Sequence, residues 1–418
     1  MVIRISLRAA AWPLLEIPLA LAAYALIHIN AVDIIAPIYE FFMPRTLAPW
    51  EHALAILCLL APFLFLRRGT TTPAACASWT LYGLVYLSSA IIGITVLPDI
   101  IDYLSLMTFL AVCLLVFHLV AADMPVPKLT GTPNIVRIDF VLFLFLAILC
   151  LFIWYKVGFH LSLGIDDVYE RRLEARETIG WGGYAIAPLR LLLPILAIHA
   201  WRTNRSLASL TWSLLLGLSC LGIYSYDGTK STILFPAVLF VLALGSAKGR
   251  IAPTILTLII ILNLLAYLEF VATGQYTLAD YIIRRSFVIP GMLTSVYWEY
   301  ASQVVNLQQI SYEVGSMYFN NPDTNANTNF LMWGWAWMGV AGGLMISLVS
   351  GMVISLFASY PGVRFPLLGS LMACGCALIW TEQFLHTSLL SNGVIYLVIL
   401  AFIMRLSPDS FRSLAPPQ

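Results

Sequence analysis

An all-α polytopic membrane protein is the fold class that the sequence predicts, and three observations predict it. Of the 418 residues, 61% are hydrophobic and only 10% are charged, against roughly 45–50% apolar and about 25% charged in soluble globular domains. Apolar runs of bilayer-crossing length, about 17–25 residues, recur along almost the whole chain. Between them no stretch is long and polar enough to make a separate water-soluble domain, so residues 1–418 read as one integral membrane domain. The formal net charge of +1 points to neither nucleic acid nor an acidic partner.

The first run, 12–29, follows Arg4 and Arg8 and has small residues at 22–25 that mimic a signal-peptidase site; it is read as an uncleaved span. Further spans are expected at 50–66, 76–96, 103–121, 138–155, 184–201, 207–225, 231–247, 252–270, 329–357, 365–381 and 391–405, which makes about twelve. The 231–247 run is short and contains Pro236, the pattern of a helix that begins inside the membrane plane. As a straight helix, 329–357 would be about 42 Å long. That exceeds the ~30 Å hydrocarbon core, so it must tilt, bend near Gly339 to Gly343, or project. Cys58, Cys76, Cys113, Cys150, Cys220, Cys374 and Cys376 lie in or beside apolar runs, are odd in number and show no metal spacing, so they read as small buried residues.

Basic residues set the sidedness. Alternate threading puts Arg4, Arg8, Arg67, Arg68, Lys128, Arg137, Arg202, Arg205, Lys248, Arg250, Arg364, Arg405 and Arg412 on one side, which the positive-inside rule makes the cytoplasm, with both termini there. Arg171, Arg172, Arg176, Lys230, Arg284 and Arg285 fall on the other side, and Arg190 lies just inside the following helix. Two large outer loops expected to contain short helices, 156–183 and 272–328, hold nearly all the polar sequence. Asp166, Asp167, Glu170, Glu174 and Glu177 can neutralise the first arginines. Lys230 and the Arg284–Arg285 pair have few acids beside them. Guanidinium forks and a lysine point charge at the outer boundary suit an anionic, phosphate-bearing ligand. Residues 282–300 are amphipathic and aromatic but interrupted by Pro290 and Gly291. They read as an interfacial or re-entrant segment, with Tyr297, Trp298 and Tyr300 at headgroup depth or stacked on sugar rings.

Four phrases follow one another in the sequence. They are Tyr169-Glu170-Arg171-Arg172, Asp227-Gly228-Thr229-Lys230-Ser231-Thr232, Arg284-Arg285-Ser286-Phe287 with Pro290-Gly291 and Tyr297 after it, and Ala326-Asn327-Thr328-Asn329-Phe330 leading into a Gly-rich helix. Their order over residues 169–343 resembles the Wzy-type polymerases of O-antigen and capsular oligosaccharide repeat units. The resemblance implies a GT-C-like glycosyltransferase of the bacterial inner membrane with a periplasmic active site. Such an enzyme transfers a glycan from polyprenyl diphosphate to an incoming polyprenyl-diphosphate-linked repeat unit. It implies lipid-linked donor and acceptor, membrane lipid and a chain-length regulator protein as partners, no nucleic acid and no cofactor. Lys230, Arg284 and Arg285 match the family's basic positions. Lys230 and Arg285 would stabilise the diphosphate leaving group, with Arg172, Arg176, Arg284, Tyr169, Tyr297, Asn325 and Asn327 holding diphosphate or glycan. An Arg-x10-Gly spacing described for the family's loops is met by Arg172 with Gly183 and by Arg171 with Gly182. It fails for Arg284 and Arg285, which are followed eleven residues on by Ser295 and Val296. The Gly228-Thr229-Lys230-Ser231 turn is not a nucleotide P-loop, because a threonine separates glycine from lysine.

The acceptor hydroxyl needs a base, and Glu299, Asp280, Glu313, Asp323, Glu382 and His386 are the outer candidates. Glu299 comes first because it lies in the aromatic phrase near the arginine pair. The related O-antigen ligases carry a histidine near the start of the span equivalent to 329–357, where Asn325, Asn327 and Asn329 stand here. These asparagines can bond sugar hydroxyls or cap the helix. No Asp-x-Asp pair, histidine cluster or outward cysteine is offered to a metal, so the expected mechanism is metal-independent. Two other readings stay open: a ligase acting on lipid A-core, and a lipid-linked oligosaccharide flippase. A transporter would show internal repeats and mid-membrane charges. No convincing repeat is found, and apart from Glu16 and Glu269, near or within spans, the outer loops hold far more ionisable groups than the membrane centre.

Overall fold

A computed structural model describes residues 13–67, 71–124, 135–158, 178, 186–203, 207–227, 231–300, 310–319, 325–358, 366–390 and 392–406. Among them the structure is helical, with no strand. Pro13–Ile29 (α1) runs into a π-helical turn, Asn30–Ile35. Pro49–Leu60 (α2), Pro73–Val96 (α3), Ile100–Asp123 (α4), Ile135–Val157 (α5), Ile186–Thr203 (α6), Leu207–Asp227 (α7), Ser231–Ala247 (α8) and Ile251–Thr273 (α9) follow. Then come 277–300 (α10), Ile310–Phe319 (α11), Phe330–Ala358 (α12), Pro366–Trp380 (α13), Leu385–Leu390 (α14) and Val394–Leu406 (α15). Leu15–Ile35, Pro73–Val96, Ile100–Asp123, Ile251–Thr273 and Phe330–Ala358 are long and apolar enough to cross a membrane.

The chain divides into two compact units. The first consists of Met1–Met124, Gly245–Ser355 and Ala377–Leu385, and the second of Pro125–Leu244, Leu356–Cys376 and His386–Gln418. In the second unit, α5, α6 and α7 pack together. A methyl at Gly222 would lie 2.3 Å from the indole nitrogen of Trp154, and Gly375 faces Leu191 and Ile195.

In the first unit α3 is the central element, with every residue from Pro73 to Gly83 buried. Its hydroxyls turn back on their own helix: Thr80 donates to the Cys76 carbonyl at 2.8 Å, Ser88 to Leu84 at 2.7 Å and Ser89 to Val85 at 2.7 Å. A polar side chain in a buried helix is satisfied locally this way. α1 lies along α9. There the fully buried Asn30 donates from Nδ2 to the Asn263 carbonyl at 2.9 Å, an interhelical bond of the kind that joins membrane helices. Gly83 admits Ile255 of α9, and Gly291 of α10 lies against the Ser88 backbone, where a Cβ would meet the carbonyl at 2.7 Å. The ends of α2 to α4 alternate. Arg67 pairs with Asp123 at 2.6 Å at one end, and at the other the Arg45 amide donates to the Thr95 carbonyl at 2.9 Å.

One expectation is revised, and the bend expected near Gly339 to Gly343 is found. Residues 282–300 are not interrupted: Ala279–Val288 is π-helical and continues directly into Ile289–Tyr300. Pro290 lacks an N–H, and in α register its ring would press on the carbonyl four residues back. The wider register, in which the Ile289 amide donates to Arg284, gives that ring room. The long Phe330–Ala358 helix is not straight. Met338 and Gly339 leave helical geometry, with Gly339 at φ 60° and ψ −141°, a conformation essentially reserved for glycine. The chain doubles back there, because a Cβ on Gly342 would lie 1.9 Å from the Gly334 carbonyl oxygen, whereas eight residues of straight helix span about 12 Å. Trp335 stacks on Trp298 at 4.0 Å, with Phe109 against both rings, and clamps the short arm 330–337.

Gly342→Ala is expected to destabilise the protein by about 2 kcal/mol, because backbone cannot yield to the added methyl as a side chain would. Its melting temperature in detergent should fall by several degrees. Gly217→Ala, where nothing lies within 4 Å of the new carbon, should melt no lower than the parent. Equal melting of the two variants would dispose of the backbone contact.

Candidate functional site

The arginine pair sits on the π-helical part of α10. The Glu269 carboxylate at the end of α9 caps this helix, accepting from the Leu278 amide at 2.6 Å. Gly274, at φ 70°, allows the intervening turn. Adjacent residues of a helix project to different sides, and the two arginines part company accordingly. Arg284 is turned inward. Its Nε donates to Asp280 Oδ1 at 2.6 Å, its guanidinium lies 4.6 Å from the centre of the Tyr39 ring, and the Tyr39 hydroxyl donates to the same Asp280 oxygen. The Arg284 and Asp280 side chains are only 14% and 16% exposed. Burial, and then the bond to Asp280, push the Tyr39 phenol up to about 12. Arg284 is thus neutralised and fixed.

Arg285 is exposed, and no ion pair joins it to any other of the described residues. Its charge reaches Glu382, in the turn after α13. Glu382 keeps accessible surface although protein crowds round it. That crowding pushes its carboxyl above the ordinary range, and the Arg285 guanidinium pulls it partly back. The turn is anchored on both sides: Trp380 stacks on Phe330 at 5.4 Å and Phe384 lies 6.1 Å from Trp333. The Thr381 hydroxyl closes the helix end by donating to the Leu378 carbonyl at 2.7 Å.

Glu299 lies elsewhere. It is fourteen residues beyond Arg285 on one helix, roughly 20 Å at 1.5 Å per residue, so the nearness expected from the sequence is not found. Burial and then the carboxylate of Asp102 raise its carboxyl above the ordinary range, and Glu299 in turn helps to raise the Tyr318 phenol, after burial. Tyr297 is not an exposed side chain. It is fully buried, and its hydroxyl donates to the Ala326 carbonyl at 3.0 Å. Asn329 serves as the cap of α12: Oδ1 accepts from the Leu331 and Met332 amides at 3.1 and 3.2 Å, and Nδ2 donates to Thr294 Oγ1 at 2.9 Å. Asn325 is exposed and Asn327 half-buried on the segment leading to that cap, and His386 is exposed in α14. Tyr169, Arg172, Arg176 and Lys230 lie outside the described residues.

The i,i+4 spacing of Asp280 and Arg284 is a sequence signal that separates the two arginines. Nothing in the sequence brings Tyr39 or Glu382 to them. The class that these features define is a helical chain with apolar helices long enough to span a membrane and, among the described residues, an exposed arginine outside any ion pair at its candidate site. No family model matches the chain, and no significant match is found among curated proteins or solved structures.

Arg284→Ala is expected to destabilise the protein by about 2–3 kcal/mol, because it leaves Asp280 without its cation in a largely buried place. Arg285→Ala should shift stability by no more than about 0.5 kcal/mol. Chemical unfolding in detergent compares them, and an equal loss in both would mean that Arg285 also has a structural partner.

Proposed function

We propose that the protein is a membrane glycosyltransferase that polymerises polyprenyl-diphosphate-linked oligosaccharide repeat units into O-antigen or capsular polysaccharide at the periplasmic face of the inner membrane, releasing polyprenyl diphosphate. The observation that carries this reading is the contrast within the arginine pair. Arg284 is consumed by Asp280 and Tyr39, while Arg285 stays exposed with no ion pair to any other of the described residues. An uncompensated guanidinium there suits an anionic group brought by the substrate, and a lipid-borne diphosphate is such a group. π-Helical turns recur at functional sites, and one carries Arg285. The order of the four motif phrases and the twelve apolar runs, read as twelve spans of GT-C type, agree with it.

In this reading Arg285 takes up the charge developing on the leaving oxygen of the donor's diphosphate; the resemblance adds Lys230, which lies outside the described residues. Fixed cations in a water-poor site do this without reorganisation. Asn325 and Asn327 are placed on the glycan side. The resemblance adds Tyr169, Arg172 and Arg176, which lie outside the described residues, for the same ligand.

Purified protein given polyprenyl-diphosphate-linked repeat units as its only substrate should make a ladder spaced by one unit and release polyprenyl diphosphate. Arg285→Ala and Lys230→Ala should each lower the rate by about 10²–10³-fold, the loss seen when one transition-state donor is removed. Lys248→Ala, an exposed residue between α8 and α9, should match the parent. Transfer only when lipid A-core is added would make the protein a ligase instead. Movement of units across liposomes without any product would make it a transporter.

A further inference from the structure

His28, in the last turn of α1, and His52, near the start of α2, stand twenty-four residues apart in the sequence, so no metal spacing announces them. The fold packs α1 beside α2 and brings the two imidazoles together, with ring centres 5.0 Å apart and planes at 85°. Tyr24, one turn before His28, stacks on the His28 ring at 6.0 Å and shares a 2.7 Å hydrogen bond with His52 Nδ1. Nδ1 of His28 has no hydrogen-bond partner among the described residues, although it is shut off from solvent. A ring nitrogen left unsatisfied in such a place costs free energy until something binds it. Both rings otherwise keep part of their surface, which leaves a way in. The charges nearby do not oppose a cation: Arg45 is taken up by Glu51 at 2.6 Å, and the exposed carboxylate of Asp33 follows five residues after His28.

We propose that His28 and His52 form a binding site for a divalent transition-metal ion of the zinc class, which clips α1 to α2. With metal–nitrogen bonds of about 2.0–2.1 Å and a ring centre about 1.2 Å behind each nitrogen, two imidazoles on one tetrahedral ion have centres about 5 Å apart. The 5.0 Å between His28 and His52 is that separation. His28 offers the Nδ1 that nothing else engages. At His52, Nε2 is left for the ion because Nδ1 is bound to Tyr24. In that tautomer Nδ1–H donates to the tyrosine oxygen and fixes the ring, as the outer partners of metal-bound histidines do. Among the described residues no third histidine, cysteine or carboxylate completes a set, so water holds the remaining positions and the ion exchanges with solution. Imidazole selects zinc, copper or nickel, whereas magnesium and calcium take oxygen ligands. The ion has no part in glycan transfer, and the site stands whether or not that reading holds.

The test uses the full chain, purified without a histidine tag and held in nanodiscs. It is titrated with Zn²⁺, and with Co²⁺, whose visible absorption reports nitrogen ligands. The parent should bind either ion saturably and melt several degrees higher with Zn²⁺ present, because an ion held only by the folded state stabilises that state. H28Q and H52Q should each lose the saturable binding and the shift in melting. Y24F, which removes one oxygen and keeps the stacked ring, should bind about ten- to a hundredfold more weakly. Parental binding in both glutamine variants, or no saturation of the parent below about 1 mM Zn²⁺, overturns the proposal and leaves the pair as edge-to-face packing. Should a glutamine variant fail to fold, Y24F decides, since an affinity equal to the parent's also overturns it. Mg²⁺ should produce neither effect, and an equal response to Mg²⁺ would overturn an imidazole site in favour of carboxylates.

Discussion

A charged or hydrogen-bonding group in apolar surroundings is stable only with a partner, and this constraint organises the first unit of the protein. Asn30 finds Asn263 across two helices, Glu269 takes up the free amide of Leu278, and the hydroxyls of α3 return to their own carbonyls. Asp280 holds Arg284 while Tyr39 contributes a hydroxyl to the carboxylate and a ring face to the guanidinium. Arg285, by contrast, is exposed and has no ion-pair partner among the described residues. Its neighbour shows that the local structure is able to neutralise an arginine, so the exposed state of Arg285 is a property of its position on the helix and not of a shortage of acids.

The same economy fixes the turn that carries Glu382. Segment 325–329 is tied down by Tyr297 to Ala326 and by the Asn329 cap, which also bonds Thr294. The chain then rises as the short arm 330–337 and reverses at Gly339, with Gly334 and Gly342 back to back. Phe330 and Trp333 on that arm supply the surface on which Trp380 and Phe384 rest. Glu382 stands between those two rings in sequence. Its placement therefore depends on the hairpin, on two glycines without side chains, and on hydrogen bonds made by residues that sequence reasoning would assign to sugar binding.

Apolar run length carried most of the helical plan, because burial of about twenty consecutive apolar residues leaves little choice of structure. The runs expected at 12–29, 103–121 and 231–247 appear as Pro13–Ile29, Ile100–Asp123 and Ser231–Ala247. The bend expected near Gly339 to Gly343 falls at Met338–Gly339. What was not legible depends on register and on contacts distant in sequence. A proline reads as a helix breaker, yet the π register before Pro290 accommodates it. Tyr297 reads as an interface anchor, and only the fold shows Ala326 waiting for its hydroxyl. Arginines 284 and 285 are equivalent in sequence until Tyr39, some 240 residues away, is seen to select one of them.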